Sequence, residues 1–242
     1  MLIPLKDINP TQRMPFATWV LVGVNVVVFF YQFFVVGLEQ SIFQGGLIPA
    51  RLLGFGQVSY EGSLHPYAVT SNPVATLFSS MFMHGGFLHL AGNMLYLWIF
   101  GNNVEDRLGS VRFALFYLLG GVLAALTHIL AATTFSQASL ASPMVGASGA
   151  VAAVLGGYLL LFPGARVRCL LFLFLFMTFI ELPAILVLGW WILIQVLNGF
   201  MGAGLGSGGV AWFAHIGGFF AGFLILYLFG YRRRQVPSSY LP

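Results

Sequence analysis

Reactive side chains gather in three places along a strongly apolar chain. In the first, Ser148 lies among small residues, Gly146-Ala147-Ser148-Gly149-Ala150, where an apolar run begins. A serine at a helix start exposes its Oγ, and the free N–H groups of the first turn can donate to a developing oxyanion, so the position suits a nucleophile. A neutral imidazole within ~2.6–3.2 Å would serve as general base. His215, in the second group Ala214-His215-Ile216-Gly217-Gly218, is the best candidate. It stands about five residues into its own run, which at ~1.5 Å per residue matches the depth of Ser148 if the loop from Ala138 to Ala147 dips inward. The third group holds His84, His89 and Asn93. His89 and Asn93 are four apart and so share a helix face, where their N–H groups would complete an oxyanion hole with the backbone N–H of Ser148.

Each of these residues also has a structural reading. Ser148, Ala152 and Gly156 recur at four-residue spacing, as do Gly218 and Gly222, and small-xxx-small faces are ordinary packing devices in membranes. Asn93 serves equally as polar glue between helices, His89 as a satisfied interface histidine and His84 as a loop residue; His65 and His128 have no partner pattern. Zinc hydrolysis fits poorly, because no His-Glu-x-x-His occurs and Cys169 is the single cysteine, so no metal and no cofactor is expected. The soluble Gly-x-Ser-x-Gly elbow is not matched either, since Ala150 fills its last position.

The elements that must position these groups are membrane spans. Ten basic and six acidic residues make 7% of 242, against ~25% in a soluble domain, and 59% of the chain is hydrophobic. With a mean hydropathy of +0.93, there is too little polar surface to coat a water-facing exterior. The net charge of +4 forms no basic stripe with interleaved aromatics, so no nucleic acid is expected. The lipid bilayer is the expected environment, and the sequence sets no oligomeric state. Apolar runs cover Phe16–Val36, read as a retained signal anchor, then Ala75–Phe100, Val111–Thr134, Ser148–Phe162, Leu170–Leu197 and Val210–Tyr231. The second divides at Gly85-Gly86 into a loop helix and a span beginning near Leu88. Residues 37–75 read as an ordered outer loop.

Six spans put nine of the ten basic residues, all but Arg51, on one side, so both termini are expected to be cytoplasmic. Counting Leu170–Leu197 as two spans would place Arg232, Arg233 and Arg234 outside. It is therefore read as one, its first part lying along the cytoplasmic interface with Glu181 out of hydrocarbon. This gives an all-α membrane protein with a leader at 1–15, a six-helix membrane domain at 16–231 and a basic tail at 232–242. All three reactive groups then fall at the outer end of the bundle. Asp7 and Asp106 fall at the inner end, which argues against aspartyl chemistry.

Together these motifs resemble the rhomboid family of intramembrane serine proteases: Gly146-x-Ser148-Gly149, Ala214-His215-x-x-Gly218-x-x-x-Gly222, His84-x4-His89-x3-Asn93, and Glu105-x-Arg107-x-Gly109. The resemblance runs from about Ser71 to Phe229. It implies a Ser148–His215 dyad without an acidic member, an oxyanion hole from His89, Asn93 and the Ser148 N–H, and structural roles for Gly146, Gly149, Gly218 and Gly222. Glu105 and Arg107 would tie the loop after the second span. Single-span transmembrane proteins would be the substrates, reaching the site past the fifth span and a glycine-rich cap from Asn198 to Gly209. The alternative is a catalytically inactive rhomboid-like protein that binds transmembrane clients. A transporter is disfavoured, since no internal repeat is visible. Two positions depart from the family pattern: no Trp-Arg pair precedes His84, and Ala152 stands where an aromatic residue often stacks on the catalytic histidine. The absence of a transit peptide favours a prokaryotic plasma membrane, with the site on the extracytoplasmic side.

Overall fold

The computed structural model describes residues 2–55, 59–60, 63–64, 72–135, 137–173, 176–205 and 211–231. It is mostly helical. After strand β1 (Leu2–Ile8) comes helix α1 (Phe16–Tyr31), extended by a π turn to Val36. Short helices α2 (Leu38–Gly45) and α3 (Pro49–Leu52), the β2–β3 hairpin (Ser59–Tyr60 with Ser63–Leu64) and α4 (Thr76–Ser79) form the long connection. Then follow α5 (Phe87–Leu108), α6 (Ser110–Phe135), α7 (Gln137–Ala141) and α8 (Ser148–Leu161). Strands β4 (Arg166–Leu173) and β5 (Phe176–Pro183) separate these from α9 (Ala184–Leu205) and α10 (Trp212–Leu228).

Among the described residues, three helices are long and apolar enough to cross a membrane: Phe16–Val36, Ser110–Phe135 and Ala184–Gly202. Helices α8 and α10 are apolar but shorter. Helix α5 is long enough, at 22 residues, but carries His89, Asn93, Asn102 and Asn103. It starts one residue before Leu88, where the sequence puts the true span.

Helix α8 is the axis of the bundle. Its residues from Gly149 to Tyr158 are all buried, as expected of a helix apolar all round. The small residues let backbones touch. A Cβ on Gly218 would collide with the Gly149 carbonyl, and one on Gly222 with the Ala153 carbonyl, so α10 can lie this close to α8 only with glycine at both positions.

Two expectations are corrected. The run Leu170–Leu197 is not one continuous span: its first part belongs to an antiparallel hairpin, and the helix starts at Ala184. Hydropathy cannot separate an apolar hairpin from half a span. Arg168 and Glu181 face each other across the hairpin and form an ion pair of 2.8 Å. The expectation of an all-α chain is likewise corrected, because part of the leader is a strand. Leu2–Ile8 pairs with β4 from Leu2↔Leu171 to Ile8↔Arg166, giving a sheet in the order β1-β4-β5.

The sheet buries a carboxylate. Asp7 is 7% exposed, and its Oδ2 accepts hydrogen bonds from Asn103 Nδ2 (2.5 Å) and the Tyr158 hydroxyl (3.0 Å). Burial pushes its carboxyl up to about 7, against the opposing effects of Tyr158 and Lys6. The folded protein thus holds the Asp7 proton more tightly than the unfolded chain does. The resulting stability is complete below about pH 4 and is lost as pH rises through about 7. Melting in detergent is expected to fall between pH 5 and 8 for the native protein and to stay nearly level for Asp7→Asn. Parallel curves would exclude Asp7 as the cause.

Glu105 does a different job at the same end. It is 2% exposed and caps α1 from 88 residues away, accepting from the backbone N–H groups of Ala17 (2.8 Å) and Thr18 (2.7 Å). The hydroxyls of Thr18 (2.7 Å) and Ser110 (2.5 Å) also donate to it. Glu105 and Arg107 lie in the last turn of α5 and not in a loop. Gly109, at φ +79°, then allows the abrupt turn into α6. Glu105→Ala leaves buried donors unpaired and is expected to cost about 3 kcal/mol. Thermal melting checks it; an unchanged midpoint would contradict the cap.

Candidate active site

A cavity of about 600 Å³ opens among the N-terminal ends of α5, α8 and α10. Ser148, His215, His89 and Asn93 all line it. Ser148 is the first residue of α8, preceded by Gly146 at φ +129°, a conformation open chiefly to glycine. Gly146 also meets a spatial requirement: a Cβ there would lie 2.7 Å from His89 Nε2 and 3.5 Å from Ser148 Oγ. Its neighbour Gly149 packs against Ala124 and the Ala214 backbone, which puts the start of α8 beside the residue preceding His215.

The polar groups around the serine are arranged as donors. His89 Nδ1 accepts the N–H of Gly85 at 3.3 Å, so in the neutral ring the proton sits on Nε2, the nitrogen that faces Gly146. Asn93 is 8% exposed, and its Nδ2 meets no acceptor among the described residues. Together with the N–H of Ser148, these atoms provide donors on two sides of the cavity.

His215 is held by α9 and by its own helix. Its Nδ1 lies 2.7 Å from Gln195 Oε1. The Trp191 ring is tilted against the imidazole, with centroids 5.8 Å apart, and Trp212 meets it edge-on at 6.2 Å. These contacts explain how the ring is fixed although Ala152, fully buried in α8, offers it no aromatic surface.

The profile of the Rhomboid domain matches residues 71–232. The chain belongs to the rhomboid family. This rhomboid is 33% identical over 151 residues to Rhomboid protein 1, mitochondrial, of Saccharomyces cerevisiae, covering 62% of this chain and 40% of that protein. It is 32% identical over 145 residues to the Rhomboid protease GluP of Bacillus subtilis, covering 60% of this chain and 24% of that one. With RHOMBOID-like protein 5 of Arabidopsis thaliana it shares 37% identity over 98 residues, 40% of this chain and 30% of the relative. The matches thus span less than half of each relative's own length.

Sequence reasoning passed over Gln195, Trp191 and Trp212. Gln195 carried a signal: a lone amide in the apolar stretch Ile192–Leu197, a position that normally needs a partner. His128 lines the cavity although its sequence context suggested no role. His84 is fully buried; its backbone N–H donates to Gln32 Oε1 at 2.9 Å, and its ring stands edge-on to His89, with centroids 5.2 Å apart. This agrees with a supporting position behind His89. His65 lies outside the described residues. The segment from Asn198 expected to form a loop continues α9 to Leu205, and only its remainder, 206–209, falls outside the described residues.

Proposed function

We propose that this rhomboid is an intramembrane serine endopeptidase that cleaves single-span transmembrane proteins near the outer face of the bilayer, with Ser148 as nucleophile and His215 as general base. The observation that carries the reading is the convergence of Ser148, His215, His89 and Asn93 on one cavity at the start of α8. His215 Nε2 takes the Ser148 proton as Oγ attacks the scissile carbonyl, and the oxyanion accepts hydrogen bonds from Asn93 Nδ2, His89 Nε2 and the Ser148 N–H. The imidazolium then protonates the leaving amine. Water admitted through the cavity hydrolyses the acyl-enzyme, with His215 again as base. A substrate helix hides its carbonyls in i→i−4 bonds, so segments with small or helix-breaking residues are preferred.

The proposed topology has six spans, α1, α5, α6, α8, α9 and α10, with both termini cytoplasmic. Its support is positional. Lys6, Arg166 and Arg168 lie in the sheet, and Arg107 and Arg112 flank the α5–α6 turn, all at the end opposite the cavity; basic residues mark the cytoplasmic side. The cavity accordingly faces the extracytoplasmic side.

Labelling of membranes with a serine-reactive fluorophosphonate tests the nucleophile. The native protein is expected to label and Ser148→Ala to remain unlabelled; equal labelling would overturn the assignment. Shed ectodomains, compared between cells making the active and the Ser148→Ala protein, would identify the substrates.

A further inference from the structure

We infer that Gln195 is a positioning residue that fixes the tautomer and orientation of His215, doing from α9 what an acidic third member does in a triad. The inference rests on the dyad proposed above. Its starting point is the direction of one amide. Gln195 Nε2 lies 3.2 Å from the carbonyl oxygen of Trp191, one turn earlier in α9. A carbonyl only accepts, so the amide nitrogen must be on that side and the amide oxygen on the other, 2.7 Å from His215 Nδ1. That oxygen also only accepts. Nδ1 therefore carries the proton, and Nε2 is left with the free lone pair that a general base requires.

Geometry supports a built holder. Gln195 is 6% exposed and Trp191 touches the same imidazole, while Trp190, Leu193 and Leu197 on the opposite face of α9 are exposed. Residues 191 and 195 are four apart, so one helical face supplies both the ring contact and the acceptor. Helix α8, whose Ala152 is too small to reach the imidazole, supplies neither. An acceptor without charge has a further merit: it orients the imidazole without burying a carboxylate beside it.

The test compares the native protein, Gln195→Leu, Gln195→Glu and Ser148→Ala in proteoliposomes with a quenched fluorogenic single-span substrate, alongside ¹⁵N NMR of the histidine ring. Gln195→Leu is expected to lose about 10- to 100-fold in kcat with KM changed less than about twofold, because the base is misaligned while the cavity survives. Gln195→Glu, which keeps an acceptor for Nδ1–H, is expected to recover at least about a third of native kcat. In the native protein, the His215 ring should show a protonated Nδ1 and an unprotonated Nε2. The opposite tautomer, or a Gln195→Leu enzyme with native kcat, would overturn the inference while leaving the dyad standing. If Gln195→Leu fails to accumulate, the ring spectrum and Gln195→Glu decide: a native Nε2–H tautomer or an inactive but folded Gln195→Glu overturns it. Cleavage by Ser148→Ala at the native rate would instead refute the dyad itself.

Discussion

Ser148→Ala is expected to lower kcat by roughly 10⁴- to 10⁶-fold, and His215→Ala to do nearly as much, while both proteins still insert and melt like the native one. The losses should not add. A nucleophile and its base act as a unit, so once either is gone the other has no proton transfer to perform, and the double variant should be no slower than the worse single one. Whatever cleavage remains would come from oxyanion donors and from holding the substrate, which neither change removes. Neither side chain contributes much to packing: Ser148 is small and stands at the cavity wall, and His215 is only partly buried. Cleavage of a purified single-span substrate, with melting as a control, measures the effect. Losses that multiply in the double variant would show that the two side chains act in different steps.

Asn93→Ala should rank next, with kcat reduced about 10²- to 10³-fold and KM little changed. The argument is about timing. Nδ2 has no acceptor among the described residues, so its hydrogen bond becomes valuable when negative charge forms on the substrate oxygen. Removing the amide nitrogen therefore costs transition-state stabilisation without breaking a hydrogen bond that Nδ2 makes in the resting fold, and melting should change little. An Asn93→Ala protein that cleaves normally but melts well below the native one would instead assign Asn93 to the interhelical glue that its sequence position equally allows. Asn93→Asp sharpens the distinction: it preserves the shape and replaces the donor by an acceptor, so it should be at least as slow as the alanine variant.

What could be read from the chain in advance follows from how local each signal is. Ser148, Gly146 and Gly149 are neighbours in sequence, and His89 and Asn93 sit one helical turn apart, so their chemistry shows as a short pattern. The close approach of α8 and α10 was likewise visible in the spacing of Gly218 and Gly222. Gln195 was not. Its function lies in a contact with His215, 20 residues on and in another helix, and on its own it reads as a stray amide. The sheet was missed for a different reason. Leu170–Leu173 and Phe176–Ile180 are as apolar as a span, and what makes strands of them is pairing with each other and the pairing of Arg166–Leu171 with Leu2–Ile8, more than 150 residues away. Glu105 shows a mixed outcome: its motif was legible, but its task of capping α1 depends on an antecedent segment with no pattern of its own.

The pairing of β1 with β4 also sets an order of events during synthesis. Ile8 leaves the ribosome roughly 160 residues before its partner Arg166, an interval on the order of 10–30 s at ~5–20 residues per second. Throughout it, β1 exists as an unpaired strand while α1, α5, α6 and α8 are made. Pro4 offers no N–H and Lys6 adds a charge, and the register slips between them, so the waiting segment is a poor template for another nascent chain. Only when Arg166–Leu173 emerges can Leu2–Ile8 be fastened in place. Four helices are then held as a closed loop before α9 and α10 are added, so the cavity receives its serine early and its histidine last.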